Sequence, residues 1–391
     1  MSCASDQRWF AVGTSTSTDP VAAGGEAVTA ALTGPDPKLI VVFCSGTLDP
    51  ALVARGANAA AGGVPLIGAS TAGEIATDRA GDAGVVATAI GGPGITAATA
   101  AVGTIDGRHR EAGALVAGCA ADLDPGLHRV LLLLPDGLSG AHQEIIRGAY
   151  SVLGAEVPLV GGCAGDGWRM RRTHQLHGEQ VLTGGLVAAA IGSTAPLGIG
   201  VHHGWRKIGS PMMVTSGAGN RIFELDRVPA LDTYLTCRNA PPAAYTDQAA
   251  FVEFATLHPL GLVRSSGQEE MRYISAADYE ARQLVCLADL PANALVWLTD
   301  GDDGTILDAT GAACREAVAA LGGRQPLGLF AFDCVSRRAV LGDDGIMAEL
   351  KEINAAACGA PVAGFYTYGE IARIRGSNGY HNQTLVVLAM S

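Results

Sequence analysis

The feature of this 391-residue sequence that most constrains its fold is a repeated pattern of strand, helix and strand. A short apolar run at residues 39–43 precedes a helix-length segment at 50–61, and a second apolar run begins at Pro65. The same order recurs with a helical segment at 143–153 and an apolar run that begins at Pro158, 93 residues after Pro65. This spacing indicates a duplicated supersecondary unit.

The C-terminal half repeats the pattern. An apolar run at 294–298 and a helical segment at 306–321 lead into a run that begins at Pro326, which gives a third copy. A fourth copy lacks its first strand and passes from a helix at 346–357 into a run that begins at Pro361. Helices that alternate with buried apolar strands favour parallel pairing through crossovers. We therefore expect an α/β fold of repeated strand-helix-strand units in two pseudo-repeated halves.

Three of the four copies share a motif at their end. A proline is followed three residues later by glycine, and the copy then closes with a glycine and an acid. The acids are Glu74, Asp166 and Glu370. A glycine inside a strand often marks a close approach of the backbone to a ligand or to a neighbouring chain segment. Two explanations therefore remain open, which are ligand binding and tight packing between repeats.

Each unit also ends in added antiparallel strands. The dipeptide at 378–379, Asn-Gly, is a strong hairpin signal between strands because both turn positions need a positive φ. A two-residue turn would place Arg375 opposite Asn382 and Arg373 opposite Thr384. Alternation along the second strand predicts that Asn382 supports the sheet whereas His381 faces a ligand.

Composition excludes several classes of function. Lys and Arg number 26 against 38 Asp and Glu, so the net charge of −12 disfavours nucleic-acid binding. The sequence has nine cysteines without a CxxC pair, and its N-terminus lacks a basic region followed by an apolar segment. Both features suggest a cytoplasmic protein with buried thiols. Proline and glycine interrupt the uncharged stretches 84–105 and 184–201, so we expect no membrane span.

Five segments, in this order along the chain, resemble the FIST family. They are residues 65–74 (PLIGASTAGE), 203–206 (HGWR), 219–225 (GNRIFEL), 332–334 (FDC) with Arg337, and 379–384 (GYHNQT). The resemblance covers nearly the whole chain. It implies a lead-in with a first strand at 1–35, a FIST N-like α/β domain at 36–226 and a FIST C-like α/β domain at 227–391.

The resemblance also implies a function. The family is described as an intracellular sensory module of signal transduction that binds small ligands. Some bacterial members resemble haem-binding nitric-oxide sensors that work with a histidine kinase or a cyclic-diguanylate enzyme. This sequence has no recognisable kinase, cyclase or transmembrane part. We therefore expect a small-ligand sensor that acts through a separate partner.

The candidate ligand site lies where loops leave the carboxyl ends of the strands, as in other open α/β sheets. The predicted ligand-binding residues are Ser70, Thr71, Glu74, Cys163, Asp166, His203, Arg206, Asp333, Tyr366, Glu370, Arg373, His381 and Asn382. We expect the acids and the terminal hairpin to share one pocket. The alternative for the acids is a solvated hairpin position or an ion pair with Arg79, Arg373 or Arg375.

Two further hypotheses stay open at the level of sequence. His203, His258 and His381 are candidate haem ligands, because one neutral imidazole can hold the iron, but a lone histidine is more often a hydrogen-bonded structural residue. A hydrolase would use Ser70 or Cys163, although residues 68–73 do not form G-x-S-x-G. A scaffold without catalytic activity is the third class.

Overall fold

The computed structural model describes residues 7–82, 84–263, 269–291, 293–374 and 378–391. It has a mixed α/β fold, which confirms the predicted strand-helix-strand units and their added antiparallel hairpins. Two complete units precede residue 197, and a third unit, which carries an inserted domain, spans the rest.

The first unit shows how the sequence starts its helices. Its elements are β1 (Trp9–Ser15), α1 (Pro20–Ala31), β2 (Pro37–Ser45), α2 (Pro50–Ala61), β3 (Leu66–Thr71), β4 (Glu74–Ala76), β5 (Arg79–Gly81) and β6 (Val85–Gly91). Both helices begin with Asp-Pro. The Oδ1 atoms of Asp19 and Asp49 accept hydrogen bonds from helix N–H groups, while proline fills the first helical position.

The second unit repeats this order. Its elements are β7 (Ile95–Val102), α3 (His109–Ala117) with a 3₁₀ turn at Gly118–Asp122, β8 (His128–Pro135), α4 (His142–Leu153), β9 (Leu159–Gly162), β10 (Gln175–His177), β11 (Gln180–Leu182) and β12 (Leu186–Ser193). Strands β8 and β12 lie at the centre of their sheet, and nearly all of their residues are buried. This explains their apolar sequences, because a central strand is covered on both faces.

The third unit begins with β13 (Leu197–His202), and an inserted domain follows. The insertion comprises β14 (Arg206–Ala218), β15 (Arg221–Leu225), β16 (Val228–Pro229), α5 (Ala230–Cys237), a 3₁₀ turn at Pro242–Tyr245, α6 (Gln248–Thr256), β17 (Leu260–Val263), β18 (Glu269–Arg272), β19 (Ile274–Asp278), β20 (Gln283–Cys286) and β21 (Leu295–Asp300). These strands form an antiparallel sheet, and residues from Met212 to Leu298 build a separate hydrophobic core.

The third unit then resumes. Its remaining elements are α7 (Asp303–Ala319), β22 (Gly328–Cys334), α8 (Val335–Ala357), β23 (Val362–Thr367), β24 (Glu370–Arg373), β25 (Tyr380–His381) and β26 (Leu385–Met390). Helix α8 is kinked at Gly342, whose φ of +63° lies in the left-handed region. Among the residues that the structure describes, no helix is both long and apolar enough to cross a membrane.

The three units share one strand order. Their sheets contain β1-β6-β2-β3, β7-β12-β8-β9 and β13-β26-β22-β23. In each unit the helix between the last two of these strands connects a parallel pair, and the neighbouring pairs are antiparallel. The parallel pairing that the sequence pattern predicts therefore holds for β2 with β3, β8 with β9 and β22 with β23.

The predicted third and fourth copies need a correction. The apolar run at 294–298 falls in β21, which pairs antiparallel with β14 and β17 in the inserted domain. The strand that the fourth copy was expected to lack is β22, which pairs directly with β23. The prediction was wrong because an apolar run shows that a strand is buried but not which sheet it joins.

The units exchange their hairpins. The hairpin β4-β5 of the first unit pairs with β23 of the third, and β10-β11 of the second pairs with β3 of the first. The hairpin β24-β25 of the third unit pairs with β9 of the second. Each six-stranded sheet is thus completed by another unit, and the exchange runs in a closed cycle.

The predicted register of the last hairpin is wrong. Glu370 pairs with His381 and Ile371 pairs with Tyr380, so Arg373 does not face Thr384. The connection is longer than two residues, and Gly379 lacks the positive φ of the expected turn. The predicted partner Arg375 lies outside the described residues.

Candidate functional site

The three loops that follow β3, β9 and β23 form a ring of backbone hydrogen bonds. The N–H to carbonyl bonds between units include Gly165 to Ser70 (2.9 Å), Ala72 to Tyr366 (3.0 Å) and Cys163 to Gly369 (2.8 Å). Each loop therefore contacts the other two. The three proline and glycine motifs of the sequence meet at this point, which we call the loop ring.

The glycines of the motif are explained by packing. A Cβ atom added to Gly68, Gly161 or Gly364 would lie 2.3, 2.0 or 1.8 Å from a carbonyl oxygen of the parallel neighbouring strand. These contacts are far shorter than real Cβ contacts. Of the two explanations that the sequence leaves open, the geometry favours close backbone packing.

The equivalent polar residues of the three units are Glu74, Gln175 and Glu370. Each is the first residue of its hairpin and pairs with the fourth residue of the strand that the hairpin joins. Glu74 pairs with Phe365, Gln175 with Ala69, and Glu370 with Gly162. Each also accepts a hydrogen bond from a backbone N–H before or at the start of the following strand, from Gly84, Gly185 and Thr384. The sequence motif had placed Asp166 in this series, and the strand register replaces it with Gln175.

The second unit differs from the others by an insertion. Glu74 follows Thr71 by three residues, whereas Gln175 follows the matching residue Ala164 by eleven, so eight residues are added. The added segment carries the sequence Gly-Trp-Arg-Met-Arg-Arg at 167–172. This is the largest departure from the repeat among the three loops of the ring.

Asp166 holds the added segment in place. Its carboxylate accepts hydrogen bonds from the backbone N–H groups of Met170, Arg171 and Arg172, each at 2.9 Å, and from the hydroxyl of Tyr368. Burial by itself would raise the pKa of Asp166, but these hydrogen bonds outweigh burial and lower it. Asp166 is therefore an ionised anchor of the loop.

A cavity of about 260 Å³ lies between the added segment and the carboxyl ends of β2 and β3. Its lining residues are Gly46, Leu48, Pro50, Ser70, Asp166, Arg169, Arg171, Arg172 and His174. We call this cavity the arginine pocket. Burial, followed by the charge of Arg172, lowers the pKa of His174, so this imidazole is neutral at physiological pH.

Side chains also pack near the corresponding strand ends of the other units. By strand register Ser70 corresponds to Cys163 and Tyr366. The Arg338 guanidinium lies 5.4 Å from the Tyr366 ring centroid and donates to the Ala72 carbonyl. In the second unit Tyr380 stacks on His142 at the start of α4, with ring centroids 4.9 Å apart. The arginine pocket thus lies at the strand ends of the first unit.

Two predicted residues of the ring are buried acids with threonine partners. Thr71 donates to Glu74, and Thr367 donates to Glu370 at 2.6 Å. Burial raises the pKa of Glu370 to about 8. Both acids are fully buried, so neither occupies the solvated hairpin position that one interpretation of the sequence suggested.

Asp333 belongs to a buried ionic cluster behind the ring. The Arg337 guanidinium contacts Asp333 at 2.6 Å and Glu349 at 2.7 Å, and it donates to Thr310 and to the His203 carbonyl. Burial raises the pKa of Asp333, whereas the two carboxylates keep the pKa of Arg337 above its ordinary value despite burial. The cluster links α7, β22 and α8.

The remaining predicted residues do not share one cavity. His203 and His381 line a second cavity of about 290 Å³, the histidine pocket, whose other lining residues are Val201, His202, Glu269 and Thr384. Arg373 contacts the Val157 carbonyl and the Tyr150 ring, and exposed Arg206 pairs with Asp302 at 3.1 Å. Asn382 is buried and donates to the His381 carbonyl. Among the described residues, the acids and the terminal hairpin therefore do not share the single pocket that the sequence predicted.

The candidate haem histidines differ in their hydrogen bonds. His203 Nδ1 accepts the Trp205 N–H, so its Nε2 carries the proton and has no lone pair for iron. His381 Nε2 bonds the Ala372 carbonyl. His258 Nδ1 bonds the Phe254 carbonyl, which leaves Nε2 its lone pair, but the imidazole packs on the Phe254 ring. The hydrogen bonds do not fit haem ligation through Nε2 at His203 or His381, and we derive no step through haem.

Among the described residues, no side-chain base forms a hydrogen bond with either candidate nucleophile. Ser70 donates to the Gly165 carbonyl at 2.7 Å and accepts from the His174 backbone N–H at 2.9 Å. Burial raises the pKa of the Cys163 thiol well above its ordinary value, and the thiolate is the reactive form of cysteine. Neither side chain has the surroundings of a hydrolase nucleophile.

Comparison with known proteins identifies the family. The family model described as FIST N domain matches residues 38–227, and the one described as FIST C domain matches residues 230–373. This chain belongs to the FIST family. FIST domains are associated with sensory signal transduction. The boundary near residues 226–227 stays a prediction for this FIST protein.

The similar curated proteins are uncharacterized. A protein of Mycobacterium tuberculosis is 27% identical over 276 residues, which cover 70% of this FIST chain and 70% of that protein. A protein of Mycobacterium bovis is 28% identical over 285 residues, which cover 70% of this chain and 69% of that protein. The function of this FIST protein must therefore be argued from its own site.

Sequence reasoning missed the arginines of the site and Gln175. A signal for the arginines was present, since Arg169, Arg171 and Arg172 stand within four residues of a chain with a net charge of −12. No comparable signal marked Gln175, because the added segment displaces it from the motif that precedes the hairpin.

Proposed function

We propose that this FIST protein is a cytoplasmic sensory protein that binds a small ligand in the arginine pocket and acts through a separate partner. The observation that carries the proposal is the added segment at 167–174. It departs from the repeat at the loop ring and, together with the carboxyl ends of β2 and β3, lines a cavity that is open to solvent. Such strand ends are the usual ligand sites of open α/β sheets.

The construction of the segment supports ligand binding. Asp166 fixes the backbone of the segment through three N–H groups, and Tyr368 of the third unit holds Asp166. A binding site on a rigid support loses little conformational freedom when a ligand arrives, which favours affinity. The hydroxyl of Tyr368 also couples the pocket to the third unit.

The same segment offers a surface for an output partner. Trp168 is 49% exposed and Met170 is 47% exposed, and both lie between the residues that line the pocket. Aromatic residues and methionine are enriched in protein interfaces. A ligand that contacts the arginines would lie beside these exposed side chains and so change the surface that the partner contacts. A histidine kinase or a cyclic-diguanylate enzyme is the partner class that the family resemblance implies.

A pocket-filling variant tests this function. Leu48→Trp places an indole in the arginine pocket, and Leu115→Trp on exposed α3 is the matched control. Melting temperatures are measured with haemin and with a panel of anionic, neutral and cationic metabolites. We expect at least one small molecule to stabilise the wild type and Leu115→Trp but not Leu48→Trp.

The opposite result is equally defined. If every stabilising compound raises the melting temperature of all three proteins equally, binding occurs outside the arginine pocket and the proposal is refuted. Haemin that produces a Soret band in wild type and Leu48→Trp alike would favour the haem hypothesis and a site outside the arginine pocket.

A further inference from the structure

The arginine pocket groups three arginines in an acidic protein. Arg169, Arg171 and Arg172 line the cavity, whereas the chain as a whole has a net charge of −12. The negative side chains at this place are Asp166 in the lining and Asp136 and Asp49 close to His174. Three arginines thus face three acids, so the partners of the acids decide whether the arginines can bind an added anion.

All three acids are already occupied by other donors. Asp49 Oδ1 accepts from the N–H groups of Ala51 and Leu52 at the start of α2. Asp136 accepts from the N–H groups of Leu138 and Gly184. Asp166 accepts from three N–H groups of the added segment and from Tyr368. In the described part of the chain, none of these carboxylates forms an ion pair with an arginine of the pocket.

The arginines retain donors for a ligand. Arg169 uses Nε and one Nη group on the carbonyls of Asp166 and Gly46. Arg172 makes one long bond, 3.4 Å, to Thr183 Oγ1. Arg171 has no side-chain hydrogen bond or ion pair within residues 7–82, 84–263, 269–291, 293–374 and 378–391. Guanidinium groups present paired N–H donors that match the oxygens of phosphate and carboxylate.

We propose that the arginine pocket binds the anionic group, phosphate or carboxylate, of a small ligand, with Arg171 and Arg172 as the principal donors. This inference rests on the proposed function and names the ligand class. The cavity of about 260 Å³ lies just below the range of about 300–1,000 Å³ that is typical of small-molecule sites. The ligand is therefore a compact metabolite rather than a dinucleotide.

The pKa of His174 should report whether an anion is bound in the arginine pocket. Its imidazole lines the pocket, and its Nδ1 lies 3.3 Å from Thr183 Oγ1. Burial and then the charge of Arg172 lower its pKa, whereas the charges of Asp136, Asp49 and Asp166 oppose this shift. A bound anion opposes the charge of Arg172, so binding raises the pKa of His174.

The test uses inorganic phosphate and acetate as anionic probes, with glycerol as a neutral probe. Affinities are measured by calorimetry, and the His174 resonance is followed by NMR titration. The double variant Arg171→Gln/Arg172→Gln removes the principal donors, and Arg227→Gln, an exposed arginine of the inserted domain, is the control. We expect the double variant to bind phosphate at least tenfold more weakly, and the control to bind it unchanged.

Several outcomes separate this inference from the proposed function. Phosphate affinity that is equal in the wild type and the double variant overturns the anionic ligand class, as does binding that does not move the pKa of His174. If a neutral compound binds the wild type but not Leu48→Trp, and neither anion binds, the anionic ligand class is also overturned. The pocket then remains a ligand site. Phosphate binding that depends on the arginines but persists in Leu48→Trp refutes binding inside the pocket. The ratio of phosphate to acetate affinity then distinguishes a phosphorylated ligand from a carboxylic acid.

Discussion

Replacing Glu370 with glutamine should remove a large part of the pH dependence of folding. Glu370 is fully buried, and burial raises its pKa from 4.5 to about 8. Between these values the folded protein keeps a proton that the unfolded chain releases. The unfolded state binds fewer protons in this window, so stability falls as pH rises.

The magnitude follows from the size of the shift. One pKa unit corresponds to about 1.4 kcal/mol, so the full shift lowers the free energy of unfolding by about 5 kcal/mol, of which about 3.5 kcal/mol falls between about pH 5 and about pH 8. Glutamine does not titrate. The variant Glu370→Gln should therefore be less sensitive to pH by this amount and more stable than the wild type at about pH 8.

The second unit provides a precedent for glutamine at this position. Gln175 accepts from the Gly185 N–H at 3.0 Å and donates to Thr173, just as Glu370 accepts from the Thr384 N–H and contacts Thr367. The amide therefore satisfies the same neighbours. The converse variant, Gln175→Glu, buries a carboxyl and should steepen the pH dependence.

Urea unfolding, followed by tryptophan fluorescence and circular dichroism over this pH range, measures both variants. Parallel pH profiles of Glu370→Gln and the wild type would refute the reasoning, because they would mean that Glu370 is ionised in the folded protein.

Two further perturbations test the packing around the site. Arg337→Met leaves Asp333 and Glu349 without their buried cation, so urea unfolding should show a loss of about 3–5 kcal/mol, whereas Arg315→Met on α7 should change little. A loss below about 1 kcal/mol would contradict the buried ionic cluster. Tyr368→Phe removes the hydroxyl bonds to Asp166 and to the Gly167 carbonyl. The variant should lower the phosphate affinity measured by calorimetry, with a smaller effect on the melting temperature. Unchanged affinity would mean that Asp166 positions the added segment without Tyr368.

Local sequence signals predicted the repeated elements well. The apolar runs and the helix-length segments between them depend on local residue patterns, so they are readable from the chain. The acids were recognised as a set because Glu74 and Glu370 occupy the same local motif. The parallel pairs followed from the alternation of strands and helices.

The partners of the hairpins were not predictable in the same way. Alternation of side chains along a strand states which face is buried but not which edge the strand joins. The strand β10 pairs with β3 about a hundred residues earlier, and nothing in its three residues specifies that edge. The arginine pocket depends on this pairing, because the added segment reaches β2 and β3 only when β10 lies beside β3.

The exchange of hairpins also determines when the protein can fold. Val362 N–H bonds to Thr77 Oγ1 across 285 residues, and contacts of such sequence separation slow folding. During synthesis the second unit is complete in sequence long before its sheet is complete, because β9 waits for β24 near the end of the chain. Until then β9 has an open edge that can pair with another chain. The nascent protein therefore carries its greatest risk of aggregation late in translation, in the middle unit rather than in the segment that is leaving the ribosome.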